Sequence, residues 1–325
     1  MQIALRYLIS RTLENLTSSS TSSLDSISPN SGRLISSTVL GLCCTLGLPG
    51  NIVVLVVILR RSSRRPNFTL CLMLNLASSD ILCLATVPVW IYTLLHGWTL
   101  GRAACKLATF LLYLSLYANV LTVTLLGVQR YLQVLYPQMW NRLGRKGEVV
   151  LLLALWGLAC ALTAPAVATR DVRDGELKCC QRHTGSDAER VAVLVLETLS
   201  WFVVPFSVLV TSYCCLHRRV NQTALFSSAK LTRLVTSVVV TFFIVWIPVH
   251  IVNVVDITGI VLQTSWPEAL AAPLSHRSAA ARVVRSFTFF NSGLDPFLYA
   301  FASRRIREQP TSSSRGDSVM QATKI

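Results

Sequence analysis

Charge is scarce in this chain, and acidic side chains are scarcer than basic ones. Only 14% of the 325 residues are charged, with 30 Lys and Arg against 15 Asp and Glu. A soluble domain of this length would expose a larger charged fraction. Because 52% of the residues are hydrophobic, the composition argues against a water-soluble globular protein.

The motifs of an enzyme or a transporter are also missing. The chain has 5 histidines and contains neither Cys-x-x-Cys nor His-Glu-x-x-His. A membrane enzyme would need a nucleophile beside a base, or a metal site. No internal repeat is visible, whereas transporters are commonly built from two matching halves. We expect a protein that is not an enzyme and has no resident cofactor, and a transporter is kept as a remote alternative.

Long apolar segments dominate what is present. A helix rises about 1.5 Å per residue, so crossing a hydrocarbon core of about 30 Å takes roughly 20 apolar residues. Seven such segments lie at residues 34–59, 68–95, 103–135, 149–168, 191–216, 231–257 and 279–301. Backbone amides in lipid must pair within their own segment, which predicts helices. The predicted fold is an all-α membrane protein, a seven-helix bundle at residues 34–302 between tails 1–33 and 303–325.

The distribution of basic residues predicts the orientation of the bundle. With the N-terminus outside, 17 Lys and Arg and 3 acids fall on the cytoplasmic side, against 13 and 10 outside. Basic residues are enriched in this way on cytoplasmic loops, beside anionic membrane lipids. The net charge of +15 therefore indicates topology rather than binding to nucleic acid. No cleavable signal peptide is recognised, and Asn15, in an Asn-Leu-Thr sequon, is expected to be glycosylated outside.

Most of the 10 cysteines lie inside spans, where they are expected to pack as small apolar side chains. Cys105 is an exception, at the outer end of the third span. Cys179 and Cys180 are the others, in the outer loop after the fourth span. In an oxidising exterior we expect one disulfide bond, between Cys105 and either member of the pair.

Two aspartates, Asp80 and Asp295, lie at mid-membrane depth. An aspartate there costs about 2.5–3.5 kcal/mol on insertion scales, so both should face the interior of the bundle. Nearby polar partners are expected from Asn51, Asn119, Asn291 and Ser292. Together these oxygens would suit a small cation such as Na⁺. The alternative is a structural network in which one aspartate is protonated, because two nearby anions disfavour joint ionisation.

Several motifs now occur in a fixed order along the chain. They are Gly50-Asn51, the Leu-Asn-Leu-Ala-x-x-Asp run ending at Asp80, Trp156, Pro205 with Tyr213, Trp246-Ile247-Pro248 and Asp295-Pro296-Phe297-Leu298-Tyr299. Over residues 34–307 the sequence resembles rhodopsin-like (class A) G-protein-coupled receptors. The resemblance implies a plasma-membrane receptor whose partner is a heterotrimeric G protein. It implies activation-switch roles for Arg130, Tyr131, Tyr213, Trp246, Pro248, Asp295, Pro296 and Tyr299.

One motif departs from that family. Arg130-Tyr131 closes the third span, but Gln129 precedes it where the family usually has an acid. Without a neighbouring carboxylate, Arg130 loses a charge-assisted bond worth about 1–3 kcal/mol. We therefore expect a looser resting state and measurable basal signalling. The alternative is that the Gln129 amide bonds the guanidinium instead.

The outer half of the bundle indicates the chemistry of the ligand. Leu112 occupies the position where amine receptors carry an aspartate, so a cationic amine lacks its counter-ion. Arginines lie above an apolar and aromatic shaft; they are Arg170, Arg282 and Arg285, and the shaft includes Tyr113, Tyr117, Trp201, Phe202 and Phe289. This pattern favours an amphipathic anion such as a hydroxylated fatty acid. Pairing of the arginines with outer acids, such as Asp171, Asp174 or Glu197, is the alternative.

Shorter strings resemble the leukotriene B4 receptor subfamily. They are Leu48-Pro49-Gly50-Asn51, Ser115-Leu116-Tyr117-Ala118, Leu196-Glu197-Thr198 and the run from Trp246 to Asn253. Gln129 is more similar to the type 2 branch. The resemblance implies a dihydroxy eicosatetraenoate agonist, inhibitory-type G proteins, and chemoattractant and inflammatory signalling. The expected ligand site comprises Leu112, Tyr113, Tyr117, Arg170, Glu197, His250, Asn253 and Arg282. A chemoattractant peptide receptor of the same fold stays open, as does a purely structural His250 bonded to Asn253 or to a neighbouring helix.

Overall fold

A computed structural model describes residues 29–62, 67–172, 181–182, 185–220, 229–265 and 283–307. The first four spans are the long helices α1 (Pro29–Ser62), α2 (Phe68–His96), α3 (Gly101–Leu135) and α4 (Pro137–Ala168). The fifth span consists of α5 (Asp187–Thr198), a π-helical segment (Leu199–Val203) and α6 (Val204–Val220). The sixth span is α7 (Ala229–Ser265), and the seventh contains α8 (Thr288–Arg307).

Within these ranges, six helical segments are long and apolar enough to cross a membrane. The predicted seventh span begins with helical residues 283–286 and continues, after a turn at Phe287, as α8. The polar residues Asn291, Ser292 and Asp295 make this helix less apolar than the others. The helical bundle predicted from the sequence is confirmed, and α8 runs on to Arg307.

The third span lies at the centre of the bundle. In its most apolar window 72% of the residues are buried, against 22% for α1, α4 and α7. A helix surrounded by other helices can carry polar side chains on several faces, because each face meets protein rather than lipid. The position of α3 therefore explains why it contributes residues to the outer pocket, the mid-membrane polar cluster and the cytoplasmic end.

The first and seventh spans approach each other at glycine positions. A Cβ on Gly47 would lie 2.8 Å from the Gly293 Cα, and a Cβ on Gly50 would lie 2.8 Å from the Pro296 Cβ. Small residues let helix backbones pack this closely within a membrane. The first helix also contains Pro49.

Two details differ from the segments read from the sequence. The fourth helix begins at Pro137, well before residue 149, since proline suits the first position of a helix. Gly144, with φ 59°, breaks the direction of the helix between its cytoplasmic part and the span. In the outer loop, β1 (Arg170–Asp171) pairs antiparallel with β2 (Gln181–Arg182), which the helical pattern did not predict.

Candidate functional site

Arg170 lies at the outer end of the pocket, where β1 follows α4. Its Nη2 donates a hydrogen bond to the Tyr113 hydroxyl at 3.0 Å. The guanidinium carbon also lies 5.4 Å from the centroid of the same ring. A cation over a tyrosine face gains a further electrostatic attraction. The sequence predicted both residues for the ligand site, and the structure brings them together.

An aromatic column continues from Tyr113 towards the middle of the membrane. Trp201 is its centre: its ring centroid lies 5.3 Å from that of Tyr113, 5.1 Å from Tyr117 and 5.0 Å from Trp246. Trp246 in turn lies 5.9 Å from His250. Edge-to-face and tilted contacts at these separations are favourable for aromatic rings. The column therefore links the Arg170 end of the pocket to the predicted switch at Trp246 by direct ring contacts.

The π-helical segment sets the direction of Trp201. This segment, Leu199–Val203, inserts a wider turn immediately before Pro205. Such insertions shift the side chains on one side of a helix relative to the other and occur often at functional sites. Trp201 is 5% exposed, while its neighbours Leu199 and Val203 face outward. Sequence periodicity alone does not reveal this local change of helical phase.

Polar groups are interspersed along the column. The Tyr117 hydroxyl lies 3.4 Å from Ser200 Oγ, and Glu197 is buried one turn earlier. His250 is 4% exposed, and neither of its ring nitrogens has a hydrogen-bond partner among the described residues. The alternative, in which His250 is bonded to Asn253 or to a neighbouring helix, is not seen among the described residues. Asn253 is buried on the same helix.

Arg285 does not belong to the free positive rim that the sequence predicted. Its Nη2 lies 3.1 Å from Asp256 Oδ2, so this arginine pairs with an acid of the sixth span. The alternative of pairing with an outer acid applies to Arg285, although the acid is Asp256 rather than those named from the sequence. Arg282 lies outside the described residues.

Other outer-face predictions fall partly outside the described residues. Cys105 is disulfide-bonded, but Cys179 and Cys180 lie in an undescribed part of the loop. The choice between them stays a prediction. Asn15 also lies outside the described ranges, as do residues 308–325 of the predicted tail. Leu112, described and buried, places no charge at the position where amine receptors carry an aspartate.

Asp80 and Asp295 lie together in a polar cluster at mid-membrane depth, where both are fully buried. Asp80 interacts with Asp295 and Ser292. Asn119 Nδ2 donates to Asp80 Oδ1 at 2.8 Å, and the Asn119 oxygen accepts from Ser79. Asn119 therefore orients Asp80, rather than only offering an oxygen to an ion.

The oxygens of this cluster suit a small cation. Although Asp80, Asp295 and Ser292 lie close enough to interact, six buried oxygens lack a well-formed hydrogen bond among the described residues: Asp80 Oδ2, both carboxylate oxygens of Asp295, Ser292 Oγ, Asn291 Oδ1 and Asn51 Oδ1. Unpaired oxygens in a membrane interior are costly, whereas carboxylate and amide oxygens are ligands for hard cations. The donor set fits Na⁺, and these residues would hold it.

At the cytoplasmic end, Arg130 rests on neutral groups. Its Nη2 donates to Thr69 Oγ1 at 3.3 Å and its Nη1 to Gln133 Oε1 at 3.4 Å. Gln129 Nε2 donates to the same Thr69 oxygen at 2.9 Å, so Gln129 does not bond the guanidinium. Arg130 is 6% exposed and forms no ion pair within the described ranges. Thr69 is a functional candidate that no sequence motif indicated.

The remaining switch residues lie along the inner half of the bundle. Tyr213 interacts with Arg130, and the Tyr131 ring lies 5.9 Å from that of Tyr136. Pro248 lies inside α7 and Pro296 inside α8. The side chain of Tyr299 lies outside the described residues. The switching roles of all these residues stay predictions.

Comparison with known proteins supports one family. Residues 50–299 match the family described as "7 transmembrane receptor (rhodopsin family)". Human leukotriene B4 receptor 1 is 32% identical over 83% of this chain and 77% of its own length. Human leukotriene B4 receptor 2 is 34% identical over 85% of this chain and 78% of its own length. The Danio rerio C3a anaphylatoxin chemotactic receptor is 28% identical over 87% and 76%.

These matches agree with the buried column, the polar cluster and the apolar helices. Members of the family are multi-pass plasma-membrane receptors that act with heterotrimeric G proteins, not enzymes. The chain belongs to the rhodopsin family of seven-transmembrane receptors and is similar to the leukotriene B4 receptors.

Proposed function

We propose that this receptor binds leukotriene B4 or a related hydroxylated fatty acid at its outer face. It would signal through heterotrimeric G proteins of the inhibitory type, in chemoattractant and inflammatory responses, with its N-terminus outside the cell. The observation that carries the proposal is the position of Arg170. This cation, held by Tyr113, stands at the head of a buried aromatic column in which the ring nitrogens of His250 have no hydrogen-bond partner among the described residues.

The groups along the pocket complement a lipid acid from end to end. A carboxylate can pair with the two-pronged guanidinium of Arg170. The hydrocarbon chain would replace lipid contacts with contacts to the aromatic column. Hydroxyl groups would meet Tyr117, Glu197, His250 and Asn253, which can donate or accept hydrogen bonds. Because Leu112 is apolar and buried, an amine finds no counter-ion there.

Binding would reach the cytoplasmic face through the sixth span. An agonist that presses on the column meets Trp246, two residues before the proline of α7. A shift there would tilt the sixth span and open a groove for the C-terminal helix of a G-protein α subunit. Na⁺ held between Asp80 and Asp295 would favour the resting arrangement and act as an allosteric ion. Each ligand would thus favour one of two pre-existing states.

Substitution of Arg170 tests the proposal. We expect Arg170→Gln to raise the half-maximal concentration of leukotriene B4 by about 10- to 100-fold, since a charge-assisted bond is worth about 1.5–3 kcal/mol. Arg170→Lys should retain part of the response, because it keeps the charge but loses the forked geometry. Tyr113→Phe is the control that removes the internal hydrogen bond only. The measurement is a cell-based calcium or cAMP response to hydroxylated fatty acids and chemotactic peptides, and a response to peptides alone would overturn the proposal.

A peptide receptor is the second candidate, favoured by the similarity to the C3a anaphylatoxin chemotactic receptor. A peptide would contact a broad outer surface, so the loss of one arginine should erode its potency gradually. A lipid acid anchored at one carboxylate should lose most of its potency at once. The same Arg170 variants therefore separate the two candidates.

A further inference from the structure

We propose that the indole N–H of Trp201 binds a hydroxyl group of the lipid acid and selects hydroxylated over plain fatty acids. This inference rests on the proposed function. It assigns to Trp201 a specificity role beyond the apolar wall that the sequence indicated.

The N–H of Trp201 is a buried donor that reaches hydrogen-bond geometry with no acceptor in the described ranges. The side chain is 5% exposed, and its Nε1 has no hydrogen-bond partner among the residues described. Two other indole groups of the bundle have acceptors: Trp90 Nε1 donates to Thr86 at 3.2 Å and Trp156 Nε1 to Asn75 at 2.9 Å. Buried tryptophan N–H groups usually find a partner. An unpaired donor inside a pocket is therefore a candidate contact for the ligand.

The surroundings of Trp201 form a polar spot in the apolar column. Trp201 interacts with Tyr117, whose hydroxyl lies 3.4 Å from Ser200 Oγ, although the indole N–H does not reach hydrogen-bond geometry with that hydroxyl. A ligand hydroxyl within reach of both Trp201 Nε1 and the Tyr117 hydroxyl would accept from the indole and exchange a hydrogen bond with Tyr117. Both protein groups would then be satisfied.

This arrangement would discriminate between ligands, because a ligand without the hydroxyl group leaves the indole N–H of Trp201 without a hydrogen bond. A plain hydrocarbon chain at the same place would cover the N–H without offering an acceptor. Sites built to bond a ligand hydroxyl reject analogues that lack it, because buried polar groups are then left unpaired. Trp201 also lies 5.0 Å from Trp246, so the same contact would influence the switch residue.

The test compares Trp201→Phe with wild type in displacement binding. The probes are leukotriene B4 and two acids, each lacking one of its hydroxyl groups. In wild type, one of the two acids should bind about 10-fold more weakly than leukotriene B4. In Trp201→Phe, the affinity for leukotriene B4 should fall by a similar factor. The difference in affinity between leukotriene B4 and that acid should then disappear. Trp90→Phe removes an indole N–H outside the column. It should leave the affinity for leukotriene B4, relative to each of the two acids, as in wild type.

The outcomes separate this inference from the proposed function. If wild type binds none of the lipid acids, the proposed function fails. The role of the N–H is refuted if wild type binds the acids but Trp201→Phe still binds leukotriene B4 more tightly than the acid that lacks the relevant hydroxyl group. It is also refuted if Trp201→Phe binds all three acids more weakly by the same factor. Should Trp201→Phe not reach the cell surface, benzothienylalanine at position 201 keeps the fused ring and removes only the N–H. The same binding ratios then decide the question.

Discussion

Substitution of Gln129 by glutamate should suppress basal signalling, because it gives Arg130 the carboxylate that this chain lacks. In the structure, Arg130 donates to Thr69 at 3.3 Å and to Gln133 at 3.4 Å, and both acceptors are neutral. These distances lie beyond the usual range of strong N–H···O bonds. The resting position of the guanidinium is thus held by two weak contacts.

The expected magnitude follows from the change in bond type. A hydrogen bond to a charged group contributes about 1.5–3 kcal/mol, and burial of the new carboxylate removes part of that gain. A net gain of about 1–2 kcal/mol in the resting state corresponds to a shift of about 5- to 30-fold in the equilibrium. When the active state is a minor species, its population falls by nearly the same factor. Basal activity in Gln129→Glu should therefore drop about 5- to 30-fold.

Thr69 provides the opposite perturbation. Its hydroxyl oxygen accepts from both Gln129 and Arg130, so Thr69→Val removes two resting contacts with little change in shape. Basal activity should rise about 3- to 10-fold, as expected for a loss of about 1 kcal/mol. Thr69→Ser keeps the hydroxyl group and should behave like wild type.

The assay is nucleotide exchange on G-protein α subunits in membranes, at matched surface expression and without agonist. Mock-transfected membranes define the background. Wild-type activity at that background would refute the looser resting state, and an unchanged Gln129→Glu variant would refute the assigned cause. A fall in activity for Thr69→Val would show that Thr69 does not restrain Arg130.

Two further predictions concern the inner bundle. Gly50→Ala should destabilise the receptor by about 1–3 kcal/mol, because the added Cβ would lie 2.8 Å from the Pro296 Cβ. Thermal unfolding in detergent measures this loss of stability. Gly41→Ala, with open space around its Cβ, is the control. Asp80→Asn should abolish any reduction of agonist affinity by NaCl relative to matched choline chloride, and an unchanged sodium effect would contradict the cation site.

Much of the fold was predictable because membrane insertion imposes strong rules on sequence. Apolar length, paired backbone groups and the charge asymmetry each act locally along the chain. Mid-membrane aspartates such as Asp80 and Asp295 stand out for the same reason, since lipid does not tolerate them. The expected proximity of Arg170 to the aromatic shaft also followed from its place at the end of the fourth span.

Contacts between distant segments were not predictable in this way. The sequence left open whether Gln129 bonds its neighbour Arg130, whereas the structure brings both side chains to Thr69 of another helix. Arg285 was placed on a cationic rim, with pairing to an outer acid as the alternative, and it pairs with Asp256 of the sixth span. The partner of a side chain depends on the distance and direction between the two groups in the folded protein. A pattern along the sequence contains neither quantity.

The sequence by itself determined that the chain spans a membrane, how many helices it forms, and which polar residues must face inward. Each of these follows from the cost of placing charge or unpaired backbone in lipid. Only the tertiary structure decided which groups are paired and which remain unpaired. The π-helical turn precedes the burial of Trp201 against Tyr117 and Trp246, and helix packing leaves the ring nitrogens of His250 without a hydrogen-bond partner within the described part of the chain. Such outcomes depend on the relative rotation of neighbouring helices, which is set by packing of the whole bundle.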